Sequence, residues 1–446
     1  MTSASVPRHD LDEIIASGKI KVVTNVNQTG YFIYRGEPMG FYFELLKNFA
    51  NRLDLELEIV VSNDIDEAFL MLQNGEVDLI AMGLTVNAER KEQMQFTTPI
   101  MQTREVLIQR KPNGWPKMTA DNIERKLIRN QLDMAGKTIY VQKGSSYAQR
   151  LENIEMETGE DIEVVEVPYD AEELSVQVAK GEIEYTVCDE NIAGIMTSMY
   201  SNLDAGTPVS FPQRLAWGVR KEGSEKLLNE LNAWITGFRT TREYKYLEAK
   251  YFKGERPARI ASSEYFAMQT GKVSPYDEII RHYSDTIGWD WRLVASLIYQ
   301  ESRFDPSVES SRGAYGLMQV MPSTGERFGL DVTRSVDSNI HAGVRYIKWL
   351  NTFFDQRVPD PEERIKFVLA SYNAGQGHVL DAMKLAEKNG LDPEKWDNNV
   401  ALYLARKSDP EVYYDPVVKH GSLRGAAVNR YVSDILERYE HYKNIK

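Results

Sequence analysis

Glu301, in the run Gln300-Glu301-Ser302-Arg303-Phe304-Asp305-Pro306, stands where an apolar side chain is due. Upstream, Val294, Leu297 and Ile298 recur at helical spacing, and the same series lands next on Glu301. A helix end can turn such a carboxylate to water, which is how most glutamates are used. A cleft would do something else: desolvation raises the pKa of a carboxyl and keeps it protonated near neutral pH, fit to serve as a general acid. Further along, Tyr372 closes an apolar stripe of Ile365, Val368 and Leu369 in the same way. Asp305 and Glu309 are the nearby candidates for a second carboxylate, although Asp305 ahead of Pro306 reads better as a turn residue.

The elements that must position these groups are helical. Ser274-Pro275-Tyr276-Asp277 reads as a helix start, with an N-cap serine, proline in the first turn and an acid three residues on. Tyr276, Ile279, Ile280, Tyr283 and Ile287 form its stripe, and Gly288 ends it. Later stripes run through Val344, Ile347, Leu350 and Phe354, and through Val428, Tyr431, Val432 and Ile435. Strand signals are weak throughout, so residues 274–446 read as a mostly α domain. Gly375-Gln376-Gly377 follows a helix rather than a strand, which argues against a dinucleotide loop.

The first half has a different rhythm. Ile20-Lys21-Val22-Val23-Thr24 reads as a strand, residues 41–53 as a helix with Phe41, Leu45, Phe49 and Leu53 on one face, and residues 55–61 as a second strand. A helix over 66–74 and a buried-type strand over 77–82 follow. That β-α-β-α-β order implies an open, largely parallel sheet. A second α/β set runs from residue 137 to 188, and after Pro208 come a further apolar run and one long helical stretch from 224 to about 250. Two α/β lobes, the second over about 107–205, place a ligand site in the cleft between them. Glycine and proline in Lys253-Gly254-Glu255-Arg256-Pro257 then end the module, giving boundaries of 1–255, a linker over 256–273, and 274–446.

Composition bounds the function. A chain of 446 residues suggests two or three compact units, and 42% hydrophobic with 27% charged residues is a globular balance. The formal net charge of -13 argues against sequence-independent nucleic-acid binding, which relies on basic side chains to neutralise phosphates. Cys188 is the only cysteine, so no intrachain disulfide can form. No apolar run approaches the roughly 18–20 residues of a membrane-spanning helix. The start, Met-Thr-Ser-Ala-Ser-Val-Pro, lacks a signal-peptide pattern, so the protein is expected to be cytoplasmic or to be a mature form with its export signal removed. The six histidines are scattered, with no His-Glu-x-x-His or paired-Cys spacing, so neither a catalytic metal nor a cofactor is expected.

Two resemblances sharpen these expectations. Gly83-Leu84-Thr85-Val86-Asn87-Ala88-Glu89-Arg90, ending in Phe96-Thr97-Thr98-Pro99, resembles the strand-to-helix signature of periplasmic solute-binding proteins for amino acids. The resemblance implies that Thr85 and Arg90 take a ligand carboxylate, that Ser145 and Ser146 in Lys143-Gly144-Ser145-Ser146 face the same anion, and that Asp189 pairs with a ligand ammonium. Taken singly, Arg90 would read as a surface arginine, Ser145-Ser146 as a helix cap and Asp189 as a turn residue. Tyr31, Phe32 and Tyr34 either wall the cleft or are core aromatics.

In the second half, Glu301-Ser302, Gly316-Leu317-Met318-Gln319-Val320-Met321-Pro322 and Ala370-Ser371-Tyr372-Asn373-Ala374-Gly375 resemble the three signatures of the soluble-lytic-transglycosylase domain, a lysozyme-like fold. The resemblance implies Glu301 as the single catalytic acid/base. It implies Ser310, Gln319, Met321, Tyr372, Asn373 and Tyr431 as residues near the sugar, and peptidoglycan glycan strands as the substrate. The products would be 1,6-anhydromuramic sugars, with the 2-acetamido group of the substrate standing in for a second carboxylate. Met318 and Met321 read equally well as core packing. Family members commonly carry Glu-Thr ahead of the late tyrosine; Ala427 and Val428 stand at those positions here, which bears on what supports Tyr431.

A peptidoglycan substrate further implies the periplasm and attachment to the outer membrane through a lipid anchor outside this sequence. The first-half ligand would be an amino acid or muropeptide, its cleft either gating cleavage or making the chain a non-catalytic receptor anchored to glycan. A hydrolytic lysozyme is the remaining alternative.

Overall fold

The computed structural model describes residues 9–254 and 256–445, so residues 1–7, read above for a leader, lie outside it, as does Glu255 of the glycine–proline break. The chain divides into two compact units, residues 1–34 with 38–266 and residues 35–37 with 267–446. No helix among the described residues is long and apolar enough to cross a membrane.

The first unit is two-lobed α/β, as the alternation of short strands and amphipathic helices requires. In the first lobe Lys19–Thr24 lies parallel to both Glu56–Val61 and Leu79–Thr85. Gln213–Arg220 then enters antiparallel beside Leu79–Thr85, so the return segment completes the first sheet. The second lobe orders its strands Glu163–Val167, Thr138–Gln142, Tyr185–Asp189, Glu105–Arg110 and Leu203–Pro208. Burial follows the sequence stripes: Phe41, Leu45 and Phe49 on one helix, and Leu151 and Ile154 on another, are removed from water. Tyr31 and Phe32 are also buried, packing against Phe43 and Phe266 respectively as core aromatics.

Three local expectations need correcting. The helical stretch 224–250 is two helices, Glu225–Phe238 and Arg242–Phe252. Thr241 breaks it by accepting the Tyr244 N–H on its hydroxyl at 3.1 Å, an N-cap that a continuous helix would forgo. The stretch 256–273 contains two short helices, Arg256–Ala261 and Ala267–Thr270, with Ile260, Phe266 and Ala267 buried. The next helix starts at Asp277 rather than beside Ser274. There the acid ties back the preceding chain: Asp277 accepts the backbone N–H groups of Val273 and Ser274 and the Ser274 hydroxyl at 2.6–3.0 Å.

The second unit is helical. The Glu301 helix, Trp291–Ser302, packs against Gly425–Lys443, and Pro361–Ala374 packs against that same last helix and against Val336–Phe354. Leu293, Val294, Leu297 and Ile298 are buried, so the stripe that points to Glu301 is the face the helix turns inward. Ser296 on that face donates to the Ile435 carbonyl at 2.7 Å, fixing the two helices lengthwise.

A buried ion pair braces the same unit. Lys407, fully buried, donates to Asp381 at 2.8 Å and meets His378 Nδ1 at 3.0 Å, while Asp381 also accepts the Lys419 and His420 N–H groups. These donors hold the Asp381 carboxyl down at about 2 against the opposing effect of burial, which is the largest single influence on it. Breaking one side of such a pair strands the other charge, so Lys407→Met is expected to lower stability by roughly 3–5 kcal/mol. Differential scanning calorimetry of the full chain checks this. An unchanged unfolding temperature would mean that the pair contributes nothing net.

Candidate active site and ligand cleft

Glu301 sits one residue from the end of its helix, and the chain turns away abruptly behind it. Arg303 and Phe304 hold consecutive left-handed conformations, φ 54° and 62°, and Gln319 a third at φ 46°. Left-handed backbone in non-glycine residues costs on the order of 1 kcal/mol or more each, and such strain gathers where surrounding contacts over-determine a site.

The turn around Gly316–Met321 is held by side chains from three helices. Ser302 Oγ lies 2.8 Å from the Leu317 carbonyl, and Tyr372 donates to the Met318 carbonyl at 2.7 Å. Asn339 accepts the Met318 N–H at 2.9 Å and donates to Tyr315 and Val332 carbonyls. Gly316, at φ 76°, lets Asn339 approach so closely that a β-carbon would lie 2.6 Å from its amide nitrogen. Gly343 on the helix behind makes room for the Met318 sulfur in the same manner. Met318 is thus fully buried, whereas Met321 is 39% exposed.

Around Glu301 itself the decisive group is Tyr431, whose hydroxyl donates to Oε1 at 2.5 Å. Burial lifts the Glu301 carboxyl to about 7, with the Tyr431 bond pulling the other way. No charged side chain among the described residues adds to that balance. Asp305 instead bonds the Ser307 hydroxyl and backbone N–H, and both Asp305 and Glu309 are exposed. Tyr372 feels the Glu301 charge, but its hydroxyl holds the turn and not the acid.

The remaining expected residues divide by role. Gln319 spends its amide on the Val308 and Gly316 carbonyls, and Ser310 accepts the Ala314 N–H in a tight turn. Asn373 is exposed next to Tyr372. Sequence reasoning missed Asn339 and Gly343, because neither breaks the apolar period of its helix. Their signal was an asparagine and a glycine four residues apart, facing one turn.

In the first unit the cleft between the lobes is closed around a cavity of ≈ 80 Å³. Thr85, Arg90, Ser145, Ser146 and Asp189 all line it. Arg90 is buried and already committed: its guanidinium donates to the Thr85 carbonyl at 3.2 Å and, across the cleft, to the Gly144 carbonyl at 2.9 Å. Ser146 Oγ donates to Glu105 at 2.9 Å and lies 3.1 Å from Thr85 Oγ1. Ser145 turns its hydroxyl back to the Gln142 carbonyl.

Asp189 is buried opposite Glu105 on the neighbouring antiparallel strand, and burial followed by the Glu105 charge raises its carboxyl to about 8. Glu105 was not foreseen from the sequence, and two further unforeseen acids join the pair. Glu172, raised well above its usual range by burial, accepts the Gln28 N–H from the opposite lobe at 3.1 Å. Asp170, raised to about 6 by burial, accepts the Asn63 amide at 3.2 Å.

Residues 20–254 match the family model of bacterial extracellular solute-binding proteins, family 3, and residues 278–393 match that of the Transglycosylase SLT domain. Fold and sites together define a solute-binding module joined to a transglycosylase-type domain. The chain is similar to membrane-bound lytic murein transglycosylase F of Desulfosudis oleivorans, at 34% identity over 96% of this chain and 91% of that protein. It is similar also to the protein of that name from Shewanella woodyi, at 31% over 94% and 85%. The chain belongs to the membrane-bound lytic murein transglycosylase F family. Among solved structures, a solute receptor for L-cysteine of Neisseria gonorrhoeae aligns with a TM-score of 0.47 at 19% identity, over 56% of this chain and 96% of that one.

Because burial is what raises the Glu301 carboxyl and the Tyr431 bond is what opposes it, removing the bond has a definite sign. In 13C NMR of glutamate-labelled protein, the Glu301 carboxyl, assigned by the loss of its signal in Glu301→Gln, is expected to titrate near pH 7, and in Tyr431→Phe that midpoint is expected to move higher. A midpoint near 4.5 in the wild type would remove the desolvation account.

Proposed function

We propose that this protein is a peptidoglycan lytic transglycosylase that cleaves the β-1,4 bond between N-acetylmuramic acid and N-acetylglucosamine, with Glu301 as its single acid/base. The carrying observation is a carboxyl lifted to about 7 by burial, held by one tyrosine and acted on by no neighbouring charge. Below pH 7 it is protonated and can donate to the glycosidic oxygen as the C1–O bond breaks, releasing the N-acetylglucosamine hydroxyl. The carboxylate left behind accepts the proton of the muramic 6-hydroxyl as that oxygen bonds to C1. The acid is restored, no water is consumed, and the product is the 1,6-anhydro sugar.

Tyr431 positions the acid. Tyr372, Gln319 and Ser302 preserve the shape of the wall beside it, while Ser310, Met321 and Asn373 contact the glycan. Asp305 and Glu309, exposed and outside the electrostatics of Glu301, do not favour a hydrolytic lysozyme with paired carboxylates. The solute-binding module takes a small amino-bearing ligand, an amino acid or a muropeptide, and regulates cleavage. Thr85, Arg90, Ser145, Ser146 and Asp189 form its site. The protein works in the periplasm in association with a membrane, the outer membrane, through a lipid anchor. The names of its relatives support the membrane association.

Glu301→Gln is expected to reduce release of soluble muropeptides from sacculi by about 10²–10⁴-fold. Mass spectrometry of the wild-type products should give anhydro ends, lighter by one water than reducing ends. Reducing ends would replace the transglycosylase with a hydrolase. The wild-type rate is expected to fall as pH rises through about 7, where the acid loses its proton.

A further inference from the structure

The cleft of the first unit contains more buried carboxyl groups than its architecture uses. Arg90 is the one lysine or arginine among the described residues lining it, against Asp170, Glu172 and Asp189, and Glu105 lies opposite Asp189 on the neighbouring strand. Asp170 has a structural task, capping the helix Ala171–Lys180 through the Glu173 N–H at 2.9 Å. The other three do not cap a helix with their side chains. Glu105 and Asp189 face each other across two strands; Ser146 bonds the first and Tyr147 the second, and each keeps one buried oxygen, Glu105 Oε2 and Asp189 Oδ1, without a hydrogen-bond partner among the described residues. Glu172, 4% exposed in the first turn of its helix, has among the described residues only the Gln28 backbone N–H, shared between its two oxygens. A carboxylate has about four acceptor positions, so most of this capacity is unfilled.

Other positive groups do not cancel the excess. Arg150 feels Glu105 but spends its guanidinium on the Val209 carbonyl and on Glu157. Arg90 is tied to two backbone carbonyls. Buried carboxylates are costly unless they are neutralised by protons or by a cation. A ligand with one ammonium and one carboxylate would add no net positive charge.

We propose that the cleft takes a ligand with two cationic groups, an amino acid bearing a second amino group on its side chain, one ammonium received by Asp189 and Glu105 and the other by Glu172. The inference rests on the ligand-binding reading of this module and narrows it to a charge class. Glu172 enters the site from a helix N-terminus and Asp189 from a strand end, so the two receptors belong to separate elements lining one cavity.

The test is isothermal titration calorimetry of the full chain with L-lysine and L-norleucine, which share a carbon chain and differ in the terminal ammonium. L-Lysine is expected to bind roughly 10- to 100-fold more tightly at pH 7, the range of hydrogen bonds to a charged group. In Glu172→Gln the ratio is expected to collapse toward one. Equal or tighter binding of L-norleucine by the wild type would overturn the inference while leaving a ligand-binding module in place. Absence of binding by these two, by the remaining standard amino acids and by a muropeptide would overturn both.

Discussion

Removal of one carboxyl from water is the constraint on which the second unit is arranged. An acid in bulk solvent would be ionised at neutral pH and have no proton to give. Burial on the Trp291–Ser302 helix reverses that preference, and the single hydrogen bond from Tyr431 fixes where the carboxyl points without cancelling the effect. The surrounding polar groups are directed elsewhere: Ser302, Asn339 and Tyr372 satisfy backbone atoms of the Gly316–Met321 turn. Those bonds keep a strained loop beside the acid without bringing another charge to it.

The same physics operates in the first unit with a different outcome. Several carboxyls are buried there, and their raised pKa values come first from desolvation, with Glu105 adding to Asp189 and Asp170 to Glu172. Glu301 is isolated, which suits a proton carrier that must return to its initial state. The cleft acids are clustered, which suits a site whose charge is completed from outside. Burial of acids thus leaves one isolated carboxyl in the second unit and a group of them in the first.

Much of this was legible because periodic patterns report burial directly. Glu301 was found by extending the stripe of Val294, Leu297 and Ile298, and the alternation of strands and helices specified the α/β module. What escaped were groups whose partners are distant in the chain. Asn339 meets Tyr315 and Met318, and Glu172 meets Gln28, and no local pattern encodes such pairings. The break at Thr241 was missed for a smaller reason: a capping hydroxyl inside an otherwise helical stretch looks like one more polar surface residue.

By itself, the sequence determined the division into an α/β half and a helical half, the acid that ends an apolar stripe, and the exclusion of a disulfide. Hydrophobic period, helix punctuation and residue counts are properties of neighbouring residues and need no third dimension. Only the tertiary structure decided which tyrosine holds Glu301. Tyr372 and Tyr431 both lie on apolar stripes, but the packing of Gly425–Lys443 against the Glu301 helix brings the Tyr431 hydroxyl to the acid and leaves Tyr372 on the Met318 carbonyl. It also decided that Arg90 lies between backbone carbonyls within a group of carboxylates. Desolvation and charge pairing depend on what surrounds a group in space, and that is settled only when elements remote in sequence have packed.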